Sequence, residues 1–285
     1  MIDFDRVLIA GVGLIGGSWA LALRRAGYSR PVLGFDPAPQ ARAALVCGAL
    51  DGLAPRGLAV PEDVAAGDLV VLAMPVAAMV GFLAHSGREL PPGVVVTDVG
   101  STKRAVTAAW VTRGNDSTGP AFVGGHPMAG TERAGFSAAS ADLFDAAPYF
   151  LVSPPGAALD RVAAAVRMLG ADPIVVDAET HDRAVALTSH VPQLVSSTLA
   201  ALVASRAPAL PAGPGLATMT RLAASPWSVW ADVLETNADR VAPALDELIG
   251  ALEAVRQAVS SGNLEPVAQM FDEAVDACRV PGWRA

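Results

Sequence analysis

His126 lies in the run Val123-Gly124-Gly125-His126-Pro127-Met128-Ala129-Gly130, where small, turn-forming neighbours present a titratable imidazole. A side chain that ordinarily titrates near about 6.5 can take a proton near neutral pH, so an acidic limb near that value is expected of a reaction that uses it. Ser101, in Asp98-Val99-Gly100-Ser101-Thr102-Lys103, offers a hydroxyl that can cap a helix beginning at Thr102 or donate to a substrate hydroxyl. These uses compete for one side chain. Far upstream, Gly11-Val12-Gly13-Leu14-Ile15-Gly16 follows the apolar run Arg6 to Ala10 and opens a helical pattern reaching about Ala26. Strand, glycine turn and helix in that order make a dinucleotide site. Gly11 permits the tight turn, Gly13 lets backbone approach a pyrophosphate, and Gly16 lets helix and strand pack closely, with Leu14 and Ile15 at the helix start. Asp36 ends the next apolar run about twenty residues on, where a carboxylate accepts both ribose hydroxyls. Arg42 is placed to serve a 2′-phosphate, but the Asp36 carboxylate would repel one, so the reading is NAD rather than NADP.

These residues need a scaffold. Apolar runs at Asp68 to Met74, Val94 to Asp98, Ala121 to Val123, Tyr149 to Val152 and Pro173 to Val176 alternate with helical segments such as Ala41 to Val46, Thr102 to Thr112 and Leu159 to Leu169. That alternation predicts an α/β fold with a doubly wound, mostly parallel Rossmann-type sheet. Ligands of such sheets bind beyond the carboxyl ends of the strands, and here Met74-Pro75, the Ser101 segment and Gly124 to Gly130 close three of them. Past Asp177 strand signals vanish and apolar residues recur at helical spacing in Ala184 to Ala204, Ala242 to Val259 and Val267 to Cys278. The expected domains are therefore 1–178 and an all-α 179–285, with Pro208, Pro211 and Pro214 marking a loop inside the second. His85 and His181 read as solvated helix residues.

The chain has 285 residues, roughly twice a usual domain, and its 52% hydrophobic content suits large cores. A net charge of -8 argues against nucleic acid or an anionic membrane as partner. Cys47 and Cys278 have neither metal spacing nor a CxxC pairing and read as buried thiols in a reducing cytoplasm. Met1 leads quickly into the first strand, and no apolar stretch reaches roughly eighteen residues, so neither a signal peptide nor a membrane span is expected.

Gly11 to Ser18, Asp98 to Lys103, Gly125 to Gly130 and Ser189-His190-Val191-Pro192, in this order, resemble the motifs of the TyrA family, the prephenate and arogenate dehydrogenases. Thr220-Arg221-Leu222-Ala223 followed by Trp230 is similar to that family's substrate-binding helix region. The resemblance spans nearly the whole chain. It implies a dinucleotide domain joined to an intertwined helical dimerisation domain, a homodimer whose cleft takes a cyclohexadienol, and oxidative decarboxylation of that substrate with NAD. It also implies site roles: His126 as base and hydroxyl ligand, Ser101 as its helper, and Arg221 as a fork on the ring carboxylate. Ser189, His190, Gln193, Thr131 and Trp230 fall on its substrate side, and Met74, Pro75 and Ser101 on its cofactor side.

The chain departs from the family's pattern in two places: Gln193 stands where a second histidine is common, and Ala217 and Thr218 stand where an arginine and an aspartate are common. Both belong to the region that reads the substrate side chain. Prephenate, arogenate and 4-amino-4-deoxyprephenate therefore stay open as substrates. A β-hydroxyacid dehydrogenase or imine reductase would share the two-domain plan, but Ser189-His190-Val191-Pro192 replaces the lysine motif expected there. A non-catalytic NAD sensor would not need Ser101, His126 and Arg221 together.

Overall fold

A computed structural model describes residues 3–36, 39–53, 64–111, 119–206 and 211–280. Met1, the expected helix end at Thr112, and Pro208 of the expected loop lie outside them. The run after Arg6 forms β1 (Val7–Ala10), with all four residues buried, as in a strand covered on both faces. The chain continues through α1 (Leu14–Arg25), β2 (Val32–Phe35), α2 (Gln40–Val46) and β3 (Gly52–Leu53). Two residues are too few to leave an apolar run, so β3 has no signature in the sequence. Then come β4 (Leu69–Leu72), α3 (Val76–Ala84), β5 (Val95–Asp98), α4 (Arg104–Val111), β6 (Ala121–Pro127), β7 (Pro148–Val152), α5 (Ala157–Met168) and β8 (Asp172–Val175).

Among the described residues these strands form one sheet in the order β3-β2-β1-β4-β5-β6-β7-β8, parallel except where β6 meets β7. The winding reverses between β1 and β4, which opens a crevice beyond their carboxyl ends. A single apolar cluster, from Phe4 to Ala171, holds this half together.

After β8 the described chain is helical: α6 (Ala178–Val185), a π-helical turn (Ala186–His190), α7 (Val191–Arg206), α8 (Pro214–Met219), a 3-10 turn (Arg221–Ala224), α9 (Trp227–Ser261) and α10 (Glu265–Ala277). Asp177 caps α6 by accepting the Thr180 N–H at 2.8 Å. The helix expected from Ala184 to Ala204 is interrupted by the π turn because Pro192 has no N–H to return to the carbonyl four residues back. Helix α9 loses helical φ/ψ at Asn237 and ends at Gly262, whose φ of 74° is the left-handed conformation glycine supplies. No helix among the described residues is long and apolar enough to cross a membrane.

Three expectations need correction. Cys47 and Cys278 are exposed, because each falls at the C-terminal end of a surface helix. His126 is a strand residue paired with Phe150, since β6 continues through Pro127. His181 is fully buried, because α6 turns it and Val185, one helical turn apart, inward.

Candidate active site

The dinucleotide cradle sits at the sheet's switch point. Gly11 has φ +91°, and a Cβ there would collide with the Ala73 carbonyl at the end of β4. A Cβ on Gly16 would collide with the Gly11 carbonyl, so helix and turn pack at glycine distance. At Gly13, by contrast, a Cβ would meet nothing within 4 Å. No side chain among the described residues caps the start of α1, which leaves its first N–H groups available to an anion. Asp36, just past β2, accepts the Val12 N–H at 2.8 Å, which holds its carboxylate against the glycine turn. Arg42 is exposed on α2. These features fit a dinucleotide: a bare helix N-terminus for the pyrophosphate and an acid for the ribose diol.

Next to the cradle is a cavity of about 440 Å³ bounded by the ends of β4, β5 and β6 and by the start of α9. Leu14, Ile15, Met74, Pro75, Ser101, His126 and Thr131 all line it, together with Glu132, Arg133 and Asp232. The Asp232 carboxylate accepts the Ala77 N–H at 3.0 Å and so ties α9 to the first turn of α3.

His126 lines this cavity with only 7% of its surface exposed. Its Nδ1 lies 2.9 Å from His181 Nε2, and His181 Nδ1 lies 2.7 Å from Asp182 Oδ1. Nε2 of His126 has no hydrogen-bond partner among the described residues. Burial, and then the neighbouring His181, Lys103 and His190, push the His126 pKa well below its ordinary value, so the ring is neutral at physiological pH. The acidic limb expected near 6.5 therefore belongs lower. Burial pushes the Asp182 carboxyl up, but hydrogen bonds from His181 and from the Arg104 and Lys103 N–H groups outweigh it and the net shift is downward.

Asp182 also settles the competition at Ser101. Its two oxygens accept the Lys103 N–H at 2.7 Å and the Arg104 N–H at 2.9 Å, so α4 is capped from the helical domain. The helix starts at Arg104, two residues later than expected, and Ser101 is left facing the cavity. Beneath this layer Lys103 and Asp98 form a fully buried ion pair, completed by the Gly125 carbonyl at 2.7 Å from Lys103 Nζ and by the Gly125 N–H at 2.9 Å from Asp98 Oδ1. A Cβ at Gly125 would strike the Asp98 carbonyl, so only glycine lets β6 bring His126 this close to β5.

The remaining expected residues stand around the cavity and do not line it. Arg221, 63% exposed on the 3-10 turn, pairs with Glu132 of the lining at 3.9 Å. His190 is buried in the π turn, edge-on to Trp230 at 5.9 Å between ring centres, with Nδ1 3.3 Å from Asn237 Nδ2. Its Nε2 is buried without a partner among the described residues, and burial lowers its pKa to about 4. Gln193 gives its amide to Ser197 at 3.1 Å and to the Leu222 carbonyl at 2.8 Å. Ser189 is half-buried beside His190. His181, Asp182, Lys103, Glu132 and Asp232 were missed by sequence reasoning. For His181 and Asp182 the available signal was the helical spacing to Val185, masked by the polar run Glu179 to Asp182.

Comparison with known proteins matches this two-domain order. Residues 19–175 match the nucleotide-binding domain of prephenate dehydrogenase, and residues 177–273 match its dimerisation domain. The prephenate dehydrogenase of Bacillus subtilis is 33% identical over 289 residues, covering 95% of this chain and 75% of that protein. The chain belongs to the prephenate dehydrogenase family. The cyclohexadienyl dehydrogenase of Zymomonas mobilis is 31% identical over 97% of this chain and 96% of its own. The prephenate dehydrogenase of Aquifex aeolicus, solved with hydroxyphenyl propionate and NAD+, superimposes with a TM-score of 0.86 at 27% identity, covering 96% of this chain and 97% of that one.

Proposed function

We propose that the chain oxidatively decarboxylates prephenate with NAD, as a cytoplasmic homodimer. The observation that carries the reading is the neutral His126 imidazole, its Nε2 without a partner among the described residues, lining a cavity that adjoins a dinucleotide cradle. Bound NAD supplies the hydride acceptor. Leu14, Ile15, Met74 and Pro75 form the apolar wall beside it, and Asp36, holding the ribose diol, favours NAD over NADP. Ser101 orients the ring hydroxyl, and His126 takes its proton at Nε2 as the ring carbon loses hydride. Loss of carbon dioxide leaves its bonding electrons in the ring, which becomes a phenolate. His126 returns its proton to that oxygen, so no proton is gained or lost overall.

The substrate's carboxylates need cations. Arg221 at the rim serves the ring carboxylate, exchanging its long contact with Glu132 for a bidentate one. Behind the lining, His190, whose Nε2 has no partner among the described residues, and Trp230 against its ring support the substrate side, and Thr131 lines the cavity itself. Gln193 acts from behind, holding the Arg221 turn through the Leu222 carbonyl. Dimerisation uses α9 and α10: no residue of α10 is buried, and Phe271 is 64% exposed.

The test is NADH formation with prephenate, arogenate and the 4-amino analogue side by side, and again with NADP. Prephenate with NAD should give the highest kcat/KM. His126→Asn should lower kcat by roughly a hundredfold or more with little change in KM, and in the unaltered enzyme the acidic limb should fall below about 6.5. Near-native kcat in that variant would place the base elsewhere, with His190 the next candidate.

A further inference from the structure

The buried chain behind His126 does more than pack. Asp182 is fully buried and accepts four hydrogens: the Lys103 and Arg104 N–H groups, Arg104 Nε at 3.3 Å, and His181 Nδ1 at 2.7 Å. An ionised carboxylate only accepts, so the proton between it and His181 sits on His181 Nδ1. A neutral His181 then turns a lone pair, on Nε2, toward His126 Nδ1 at 2.9 Å. His126 must supply the proton there, and a neutral imidazole has one proton to supply.

We propose that His181 and Asp182 are positioning residues that hold His126 in the one tautomer able to act as a base, with the proton on Nδ1 and Nε2 bare; this rests on the role given to His126 above. The three residues come from different parts of the fold, His126 from β6 and the other two from α6, while Asp182 also caps α4. The base is therefore assembled only when the helical domain docks on the sheet. Once His126 has taken the ring-hydroxyl proton, its Nδ1–H still donates to His181, and the Asp182 carboxylate backs the new positive charge without a second proton moving. A purely structural filler at His181 would need only a ring edge-on to Phe150, at 5.3 Å between centres.

Nitrogen NMR of histidine-labelled protein at neutral pH, without substrate, reads the tautomer directly. His126 should show a protonated Nδ1 and an unprotonated Nε2. The reverse pattern, in which His181 is the donor to His126, overturns the proposal. His181→Phe keeps the ring and removes the lone pair, so kcat should fall roughly 10- to 100-fold with KM changed less than about threefold. His181→Gln, whose amide oxygen can accept from His126 while its NH2 donates to Asp182, should recover most of that loss and restore the His126 tautomer. Native kcat in the Phe variant, or a Gln variant no better than Phe, overturns the proposal. If the Phe variant does not fold, the spectrum of the unaltered protein and the Gln variant decide. The predicted tautomer together with no turnover of any cyclohexadienol would support this arrangement while removing the activity assigned above.

Discussion

The two halves of this molecule bury their apolar residues in opposite ways. The sheet domain closes on itself: its core cluster runs from Phe4 to Ala171 and includes fully buried Trp19, Tyr149 and Phe144. The helical half has few buried apolar residues among those described, namely Val185, Ala186, Val191, Val233, Val241 and Ala258, while Leu202, Ile249, Leu252, Met270, Phe271 and Val275 are exposed. A parallel sheet with helices on both faces has nowhere to leave an apolar side chain in water, whereas a long amphipathic helix needs a second surface to cover its stripe. The first half is a finished fold that carries chemistry at its edge, and the second is half of an interface. His126, the base proposed above, belongs to the finished half, and His181 and Asp182 behind it belong to the unfinished one.

That contrast can be broken at its strongest point first. Lys103→Met leaves Asp98 as a buried, uncompensated charge in the sheet domain and should cost about 3–5 kcal/mol in denaturant unfolding. A loss below about 1 kcal/mol would mean that the sheet core does not depend on this pair.

At the junction the effect is set by pH. His190 titrates near 4 when folded, against about 6.5 in an unfolded chain. Below about 6.5 the unfolded state takes up a proton that the folded state refuses, so stability falls with pH down to about 4 and this contribution is constant below that. The loss from this group approaches about 3 kcal/mol, and buried His126 acts in the same direction. Replacing His190 with Gln should flatten the fall of Tm between those two pH values, and an unchanged slope would exclude His190 as its source.

The smallest effect belongs to the unfinished half. Phe271→Glu should weaken dimerisation at least about tenfold in light scattering while leaving the thermal unfolding of the sheet domain near native. A variant that stays dimeric at all dilutions would move the interface off α10.

Sequence alone determined a good deal, because its signals were local. The glycine turn, the acid after β2, the alternation of strands and helices and the motif around His126 each depend on neighbours within a few residues. Backbone geometry forces the residue type at such places, as the collisions at Gly11, Gly16 and Gly125 show. What tertiary structure decided was which polar groups meet across long separations. His181 read as solvated because its neighbours in α6 are polar, yet it is buried against His126, 55 residues away. Ser101 seemed divided between two roles until Asp182, a residue of the other domain, capped α4 in its place. Local pattern states which face of a helix is apolar. Whether a polar residue on that helix meets water or another element depends on how the two halves dock, and only then does a buried chain of proton donors and acceptors exist.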